Sequence, residues 1–431
     1  MRFESTRGQA PVVTLSEALR NGAAPDGGLY MPDAIPAAPG NLDPDAPLAE
    51  FAADLLRPFF DGDRLAPELP AICAEAFDFN VPLVTPDPER PGLLALELFH
   101  GPTGAFKDFG ARFLMGCFDR IAQGAPLNVL VATSGDTGGA VGCAAENRSS
   151  VRATILFPHG RVSPFQERQL TCWGGNVQAL DVEGDFDDCQ RLVKTAFADP
   201  EMSADHRLTS ANSINFGRLL PQLAYNARAA LQVYAETGLE PGMVVPSGNL
   251  GQGFSILLAQ AMGLPVGPVI LATNANRTLK DWRDTGKYAA RPSLETLANA
   301  MDVGNPSNFE RVSALGIEPE DVQVDLVTDE QIRARITADH QRSGYVWCPH
   351  SATAAEAYAR LSDEEKAERP WIVAATAHPY KFADIVEPLI GAKIAPTPAL
   401  AEIYERSTRK LEISAGLGSL EGALRGRMAV A

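Results

Sequence analysis

The chain has 431 residues, of which 45% are hydrophobic and 21% are charged. These proportions are typical of folded globular proteins and exclude a disordered chain. The length exceeds what one hydrophobic core usually supports, so we expect two or three packed lobes. A formal net charge of −17 opposes a nucleic-acid partner, but a small phosphorylated ligand stays possible, because a few donors in one concave site act at short range.

The cysteines and apolar segments carry no targeting or metal signal. The six cysteines include no Cys-x-x-Cys pair, so we expect reduced thiols and no metal site. The longest apolar region, residues 254–272, is interrupted by two glycines and two prolines, and no apolar stretch opens the chain. We therefore expect no membrane segment and a cytoplasmic protein.

The chain begins with a segment of distinct composition. Residues 1 to about 80 are rich in proline, glycine and aspartate, with helix-like stretches near Leu15–Arg20 and Leu48–Phe60. We expect residues 1–80 to form a separate amino-terminal lobe.

From Leu127 onward, short β-type runs alternate with longer amphipathic runs. This alternation predicts an α/β protein in which helices cover a parallel sheet. A helix is also expected over Pro396–Arg409, entered through a Pro-Thr-Pro segment. The predicted strands are Val129–Ala132, Ala153–Phe157, Val177–Val182, Val244–Val245, Val269–Ala272 and Trp371–Ala375.

A lobe boundary is expected near the middle of the chain. Helical runs at Leu219–Val233 and Phe254–Met262 bracket the strand that ends at Val245. We therefore predict two further lobes, comprising residues 81–235 and 236–431.

Two glycine-rich turns each follow a predicted strand and precede a predicted helix. They are Thr133–Gly139 and Ser247–Gly253, and such turns offer backbone N–H groups to an anion. Two turns of this kind suggest two phosphate sites, although glycine also serves tight connections that bind nothing. Neither turn fits a dinucleotide or Walker pattern, so nucleotide binding is disfavoured.

Lys107 lies between aromatic neighbours beside a loop of small residues. An amine with such neighbours can lose solvation, which lowers its pKa and suits Schiff-base chemistry. The alternative is an exposed lysine at a helix start, paired with Asp108. His350 and His378 each adjoin a proline in a predicted turn, where a structural histidine is common, so no chemistry is assigned to either.

Several segments resemble, in the same order, those of threonine synthases. The amino-terminal segments Ser5–Gly8 and Ala24–Tyr30 also resemble the opening of that family, so the similarity covers nearly the whole chain. Fold relatives would share the lysine and the glycine loops but not the amino-terminal lobe. The other matching segments are Gly101–Gly110, Thr133–Ala140, Asn212–Gln222, Pro246–Gly251, Ala272–Asn276, Ala300–Val303, Pro349–Ala352 and Ala375–Phe382.

The resemblance implies a pyridoxal-phosphate enzyme of fold type II, with two parallel-sheet lobes, helices on both faces and a smaller amino-terminal lobe. Such an enzyme would be a carbon–oxygen lyase that converts O-phospho-L-homoserine and water into L-threonine and phosphate, as a monomer or homodimer. Lys107 would form the Schiff base with pyridoxal 5'-phosphate, and Thr376 would face the pyridine nitrogen. The cofactor phosphate would lie on Ser247, Gly248, Asn249, Leu250 and Gly251.

The resemblance also implies a set of substrate contacts. Arg218 would clamp the substrate phosphate, because its planar fork fits oxyanions; it could instead be a helix-surface charge. Asp136 would lie near the cofactor's 3-oxygen, where a carboxylate repels a phenolate unless it is protonated or turned away. Thr376 could simply cap a strand, and the Asn-Ser pair before the Phe216 helix could cap that helix. The implied substrate residues are Thr133, Ser134, Gly135, Thr137, Asn212, Ser213 and Arg218.

Three rival functions remain open on the sequence alone. The same cofactor and substrate could lead to elimination and deamination, giving phosphate, ammonia and 2-oxobutyrate. A serine or threonine dehydratase would need no second anion site of this kind. A catalytically silent binding protein that kept the fold would not require an intact Lys107.

Overall fold

The computed structural model describes residues 1–122, 124–133 and 135–428, with the side chains of the last two of these left out of the description. The strands are β1 (Phe3–Ser5), β2 (Tyr30–Pro32), β3 (Leu83–Val84), β4 (Leu93–Glu97), β5 (Leu127–Ala132), β6 (Val151–Pro158), β7 (Val177–Glu183), β8 (Leu208–Ser210), β9 (Gly242–Pro246), β10 (Val269–Thr273), β11 (Gln323–Leu326), β12 (Trp371–Ala375) and β13 (Leu411–Ser414).

The α-helices are α1 (Leu15–Asn21), α2 (Leu48–Phe60), α3 (Leu69–Ala76), α4 (Lys107–Ile121), α5 (Asp136–Ala145), α6 (Pro164–Thr171), α7 (Phe186–Ala198), α8 (Pro200–Asp205), α9 (Leu220–Thr237), α10 (Gly251–Ala261), α11 (Thr278–Thr285), α12 (Phe309–Ala314), α13 (Asp329–Ser343), α14 (Pro349–Ala359), α15 (Asp363–Glu368), α16 (Ala383–Ile390), α17 (Pro398–Glu405) and α18 (Leu417–Met428). Short 3-10 helices cover Ala66–Glu68, Phe216–Arg218, Asn299–Met301, Pro319–Asp321 and Pro379–Phe382.

The first 80 residues contain the antiparallel pair of β1 with β2 and the three helices α1, α2 and α3. Helix α1 begins at a capping box, in which Thr14 and Glu17 satisfy each other's backbone N–H groups. Helix α2 buries Phe51, Phe59 and Phe60, and burying each such ring contributes about 1.5–3 kcal/mol. These rings belong to a hydrophobic core that continues into α4 and α9, so this lobe is fixed to its neighbour.

The second sheet has the order β13-β7-β6-β5-β8 and is parallel throughout. Side chains alternate across it, as strand geometry requires. Val129 and Val131 of β5 face the core that contains α4 and α5, whereas Leu130 and Ala132 face the core that contains α7 and α18. Helices therefore cover both faces, as the sequence predicted.

The third sheet has the order β11-β10-β9-β12-β4-β3, and only its edge strand β3 runs antiparallel to its neighbour. Met243 and Val245 of β9 face the core beside α10, and Val244 faces the core beside α13 and α14. Ligands of open parallel sheets bind outside the carboxyl ends of the strands. The loops that follow β5, β9 and β12 are therefore where a site is expected.

The sheets cross the predicted lobe boundaries in two places. Strands β3 and β4 fall within predicted lobe 81–235 but join the third sheet, where Leu93 pairs with Trp371. Strand β13 falls within predicted lobe 236–431 but pairs with β7. Hydrophobic periodicity identifies a short strand without identifying its partner, so these strands join sheets outside the lobes to which the sequence assigned them.

The helix predicted over Pro396–Arg409 is shorter in the structure. Helix α17 ends at Glu405, because Arg406 turns into an extended conformation. Its guanidinium then donates to the Glu146 carboxylate, with Oε2 at 2.7 Å, and lies 4.8 Å from the ring centroid of Trp173. This contact fastens the carboxyl-terminal segment to the second sheet's lobe.

Within the described residues, no helix is long and apolar enough to cross a membrane. Among the same residues, no group of three or more His, Cys, Asp or Glu side chains is arranged to hold a metal ion. All six cysteines are free thiols, and five of them are buried in the hydrophobic interior.

Candidate active site

A cavity opens at the carboxyl ends of β9 and β12, beside the start of α4 and α5. It combines apolar walls with a few polar groups, as ligand sites generally do. It is lined by Phe106, Lys107, Asp136, Ser213, Gln222, Pro246, Gly248, Asn249, Leu250, Gly251, Gln252, Ala300, Met301, His350 and Thr376.

Lys107 is a half-buried residue at the start of α4, and its amine lies 4.6 Å from the ring centroid of Phe106. Burial, and then the positive charge of Arg218, lower the pKa of Lys107 to about 8, although Asp136 opposes this shift. The lowered pKa increases the fraction of neutral amine near neutral pH, and the neutral amine is the nucleophile. The alternative pairing with Asp108 is not formed, because that carboxylate accepts hydrogen bonds from Thr103 N and Oγ1 at 2.9 and 2.6 Å.

The second glycine-rich turn lies between β9 and α10 and can accept an anion. Leu250 has a φ of 61°, in the left-handed region, and α10 begins directly after it. Gly248 approaches the neighbouring chain so closely that a Cβ there would lie 2.7 Å from Met301 Cα. The open first turn of α10 presents N–H groups and the positive end of the helix dipole, which together fit a phosphate.

The side chains of this turn are partly occupied within the protein. Asn249 Nδ2 donates to Ser213 Oγ at 2.8 Å, and Asn249 Oδ1 accepts from Ser307 N and Oγ at 2.6 and 2.8 Å. Ser247 Oγ donates to the Val245 carbonyl at 3.3 Å. Asn249 would therefore contact a phosphate first through its backbone amide, whereas the Ser247 N–H already donates to the Ala272 carbonyl at 2.8 Å.

Thr376 follows β12 and is buried in the cavity wall. Its N–H donates to Ser351 Oγ at 2.9 Å, and the two hydroxyl oxygens are 3.5 Å apart. Its carbonyl accepts from Phe106 N at 2.9 Å, which ties this strand end to the residue before Lys107. The hydroxyl is therefore held beside the cavity, and its expected contact with a ring nitrogen stays a prediction.

Asp136 begins α5 and forms a buried ion pair with Lys381, with 2.9 Å between Oδ1 and Nζ. Burial alone would raise the pKa of Asp136, but the charge of Lys381, followed by weaker effects of His350 and Lys107, lowers it overall. Asp136 is thus an ionised carboxylate that is paired with a cation. Lys381 lies in a segment that carried the resemblance, but sequence reasoning gave it no role.

The two histidines differ in their relation to the cavity. His350 lines it, and its Nε2 accepts from the Ala300 N–H at 3.0 Å. Burial lowers the pKa of His350 to about 4, so the ring is neutral at physiological pH, and its Nδ1 has no partner among the described residues. His378 instead caps a 3-10 helix, with Nδ1 accepting from Tyr380 N at 3.2 Å.

The first glycine-rich turn is held together by its own hydrogen bonds. Thr133 Oγ1 accepts from Gly135 N and Gly138 N, both at 3.0 Å. Gly135 has a φ of 143°, and Thr137 is half-buried in the first turn of α5. Ser134 lies outside the described residues. None of these residues lines the cavity in the described part of the chain, so their substrate contacts stay predictions.

The Asn212–Arg218 segment contributes one residue to the cavity wall, Ser213. Asn212 Nδ2 donates to the Ala132 carbonyl at 3.0 Å instead. Arg218 is buried rather than on a helix surface, and its Nη1 donates to the Ala211 carbonyl at 2.7 Å. Burial lowers the pKa of Arg218 to about 10, and its Nε has no partner among the described residues.

Two glutamines in the cavity wall were missed by the sequence analysis. Gln252 is 4% exposed, yet neither its amide nitrogen nor its amide oxygen has a partner among the described residues. Gln222 Nε2 donates to the Arg218 carbonyl at 2.7 Å, whereas its Oε1 is unpartnered within the same residues. A buried amide without a partner is costly, so both are candidates to bind a ligand. Their only sequence signal was a place in or beside a matched segment.

The sequence matches a known class of enzyme over the region that contains the cavity residues. A family model described as "Pyridoxal-phosphate dependent enzyme" matches residues 81–376. That range contains Lys107, both glycine-rich turns and Thr376. The protein is a pyridoxal-phosphate-dependent enzyme of fold type II, and its cofactor is pyridoxal phosphate.

More specific family models and similar proteins identify the family within this class. Models described as "Threonine synthase N terminus" and "Threonine synthase, C-terminal" match residues 2–77 and 351–422. The threonine synthase of Haemophilus influenzae is 38% identical over 392 residues, which are 90% of this chain and 90% of that protein. The Escherichia coli K12 threonine synthase is 36% identical, over 93% of this chain and 94% of that one. The chain belongs to the threonine synthase family.

Solved threonine synthase structures superpose on nearly the whole chain. The Escherichia coli threonine synthase structure superposes with a TM-score of 0.91 at 33% identity, covering 99% of this chain and 100% of that one. The pyridoxal-phosphate-bound structure from Brucella melitensis gives a TM-score of 0.89 at 34% identity and covers 99% of each chain. The amino-terminal lobe is thus part of the shared architecture.

Proposed function

We propose that this protein converts O-phospho-L-homoserine and water into L-threonine and phosphate, as a cytoplasmic carbon–oxygen lyase in the last step of threonine biosynthesis. The observation that carries this proposal is an amine with a lowered pKa in the same cavity as a helix N-terminus open to phosphate. The match over residues 2–77 supports this reaction over those of enzymes that share only the fold.

Lys107, residues 247–251 and Thr376 would hold the cofactor. Pyridoxal phosphate supplies an electron sink that stabilises negative charge on substrate carbon atoms. The backbone N–H groups at the start of α10 would receive its phosphate, for which Gly248 leaves room. The hydroxyl of Thr376 would contact the pyridine nitrogen. Because a hydroxyl carries no full negative charge, it would stabilise a protonated ring nitrogen less than a carboxylate would, and so moderate the electron-withdrawing power of the cofactor.

Lys107 would also move protons during the reaction. Once the substrate amine displaces it, the free Lys107 amine would remove protons from substrate Cα and then Cβ. The same amine would return protons to Cγ, once phosphate has left it, and to Cα, once the hydroxyl of water has bonded to Cβ. A pKa of about 8 suits these transfers, because both forms of the amine are populated near neutral pH.

Ser213 is the best-supported contact for the substrate's phosphate. Its Oγ accepts from Asn249 Nδ2 at 2.8 Å and from Asn308 Nδ2 at 3.2 Å. With both acceptor positions used, its O–H is left to donate, which suits an oxyanion. Arg218 would add positive charge behind this wall. The further proposed substrate residues are Thr133, Gly135, Thr137 and Asn212, together with Ser134, which lies outside the described residues.

Product analysis tests the proposal directly. Purified protein loaded with pyridoxal phosphate is given O-phospho-L-homoserine, and phosphate, threonine and 2-oxobutyrate are quantified in one reaction. We expect equal amounts of phosphate and threonine. Phosphate with 2-oxobutyrate and ammonia would mean elimination and deamination on the same scaffold. In a parallel reaction with serine or threonine as substrate, turnover of these amino acids but not of O-phospho-L-homoserine would mean a dehydratase.

A lysine variant separates an enzyme from a silent binding protein. Lys107→Ala should lose both turnover and the visible absorbance of the bound cofactor, since no other amine lines the cavity in the described residues. Lys393→Ala, which removes an amine that is 92% exposed, is the control and should keep both. Wild-type protein that takes up no cofactor would contradict the enzymatic proposal.

A further inference from the structure

The ammonium of Lys381 is enclosed where the two large lobes meet. Its side chain has no exposed surface, and Nζ lies 2.9 Å from Asp136 Oδ1. Nζ also donates to the Thr103 carbonyl at 2.8 Å and to Gln169 Oε1 at 2.7 Å. An ammonium has three donors, so all of them are used. Lys381 is therefore held in one position without help from solvent.

Asp136, the ion-pair partner of Lys381, lies between Lys381 and the cavity. It lines the cavity wall together with Lys107 and His350. Its Oδ1 is taken up by Lys381 and lies 3.5 Å from Gln166 Nε2, whereas its Oδ2 has no hydrogen bond to any described residue. An ionised carboxylate only accepts hydrogen bonds. Oδ2 is thus available to a proton-bearing group in the cavity.

The charged groups around Lys107 act in opposite directions. Arg218 disfavours a proton on the Lys107 nitrogen, and Asp136 favours it. Asp136 in turn faces Lys381 and His350, and His350 is neutral at physiological pH. The proton affinity of the Lys107 nitrogen therefore depends on how fully Lys381 compensates the charge of Asp136.

We propose that Lys381 is a positioning residue that forms one charge-compensated pair with Asp136. It fixes a compensated carboxylate beside Lys107, and so sets the pH at which the Lys107 nitrogen keeps its proton once it carries the cofactor. This inference rests on the proposed role of Lys107. Without Lys381, the uncompensated Asp136 would hold that proton more strongly, and without Asp136 the remaining cation would drive it off.

A purely structural role for Lys381 predicts something else. Its bonds to Thr103 and Gln169 join segments of different lobes, and it lies near the buried carboxylate of Asp108. If these contacts were its whole function, removing the charge would lower stability. Replacing Lys381 and replacing Asp136 would then not shift the protonation of the Lys107 nitrogen in opposite directions.

The test uses the holoprotein with four variants and follows the visible absorbance band of the bound cofactor against pH. We expect Lys381→Met to raise the pH midpoint of that band by about one unit, and Asp136→Asn to lower it by about one unit. The double variant Asp136→Asn/Lys381→Met loses both charges and should return to near the wild-type midpoint. Lys381→Arg keeps the cation and should also stay near wild type.

Two results would overturn the inference. One is a midpoint in Lys381→Met that equals the wild-type value. The other is an equal midpoint in Asp136→Asn and the double variant, which differ only in the charge at 381; this comparison decides the matter even if Lys381→Met does not fold. A band that persists in Lys107→Ala would instead overturn the proposed role of Lys107, so the two failures are distinguishable.

Discussion

Ser213 is held so that its hydroxyl hydrogen is free for a ligand. Asn249 and Asn308 both donate to Ser213 Oγ, and the Ser213 carbonyl accepts from Arg311 Nη1 at 3.1 Å. Three residues thus fix one serine in the cavity wall. Such pre-positioned donors bind an oxyanion without further ordering of the site.

Replacing Ser213 by Ala should weaken phosphohomoserine binding while the cofactor stays bound. Loss of one hydrogen bond to a charged group costs about 1.5–3 kcal/mol, which corresponds to a KM higher by roughly tenfold to a hundredfold. Inorganic phosphate, tested as an inhibitor, should weaken in parallel. A KM equal to that of wild type, with an unchanged phosphate Ki, would remove Ser213 from the substrate site.

At the scale of single residues, the sequence revealed Lys107 but not its surroundings. The aromatic neighbours of Lys107 indicated burial, and the structure adds Arg218, which is 111 residues away along the chain. The sequence indicates that the Asp136 carboxylate would repel a phenolate unless it is protonated or turned away, but it does not reveal the pairing with Lys381, which depends on how two lobes meet. No local pattern predicts such a contact, which is also why the unpartnered amide of Gln252 was missed.

Among the elements, α10 is built around its first turn. The left-handed Leu250 opens the backbone just before the helix, and Gly248 allows the turn to pass Met301. A side chain at Gly248 would meet backbone atoms, which cannot rotate away as a side-chain tip can. The position of the phosphate-facing N–H groups therefore depends on this glycine.

Gly248→Ala should weaken cofactor binding. The added Cβ would lie 2.7 Å from Met301 Cα, and overpacking of this kind costs about 1–3 kcal/mol, or roughly a fivefold to 150-fold rise in Kd. Absorbance titration of the cofactor-free protein with pyridoxal phosphate measures this change. Gly116→Ala in α4 is the control, because its Cβ would meet nothing closer than 3.5 Å. Equal Kd values for the two variants would contradict the steric argument.

The longer strands of both large sheets could be predicted, because buried parallel strands give continuous apolar runs. The predicted runs at 129–132, 153–157, 177–182 and 269–272 all fall within observed strands. The two-residue β3 and the largely exposed β13 carry no such run. They are strands because a neighbouring edge pairs with them, which the sequence does not reveal.

On the scale of the whole molecule, the amino-terminal lobe is joined to the cavity wall through α12. Arg311 is fully buried, and its guanidinium donates to the carbonyls of Tyr30, Ser213 and Ile214 at 3.2, 3.1 and 2.6 Å. Burial lowers the pKa of Arg311 to about 9. The Arg311 guanidinium thus connects β2 with Ser213, the proposed phosphate contact, and its neighbour Ile214.

Arg311→Met should loosen this junction. Three buried carbonyls would lose a charged donor, and we expect the opening free energy of the amino-terminal lobe to fall by about 3 kcal/mol. Hydrogen exchange of the amides in β1 and β2 measures that energy locally, which is needed because a multilobed chain does not guarantee a two-state transition.

The matched control is Arg7→Ala, which also cuts a link between the amino-terminal lobe and α12. Arg7 pairs with Glu310 at 2.6 Å, but the two side chains are 50% and 37% exposed. Exposed ion pairs contribute about 0–1 kcal/mol because solvent screens them and side-chain entropy opposes them. We therefore expect little change in exchange for Arg7→Ala. If it accelerated exchange as much as Arg311→Met, the lobe would be held by its surface charges, and the buried guanidinium would not be the connection between the amino-terminal lobe and the site.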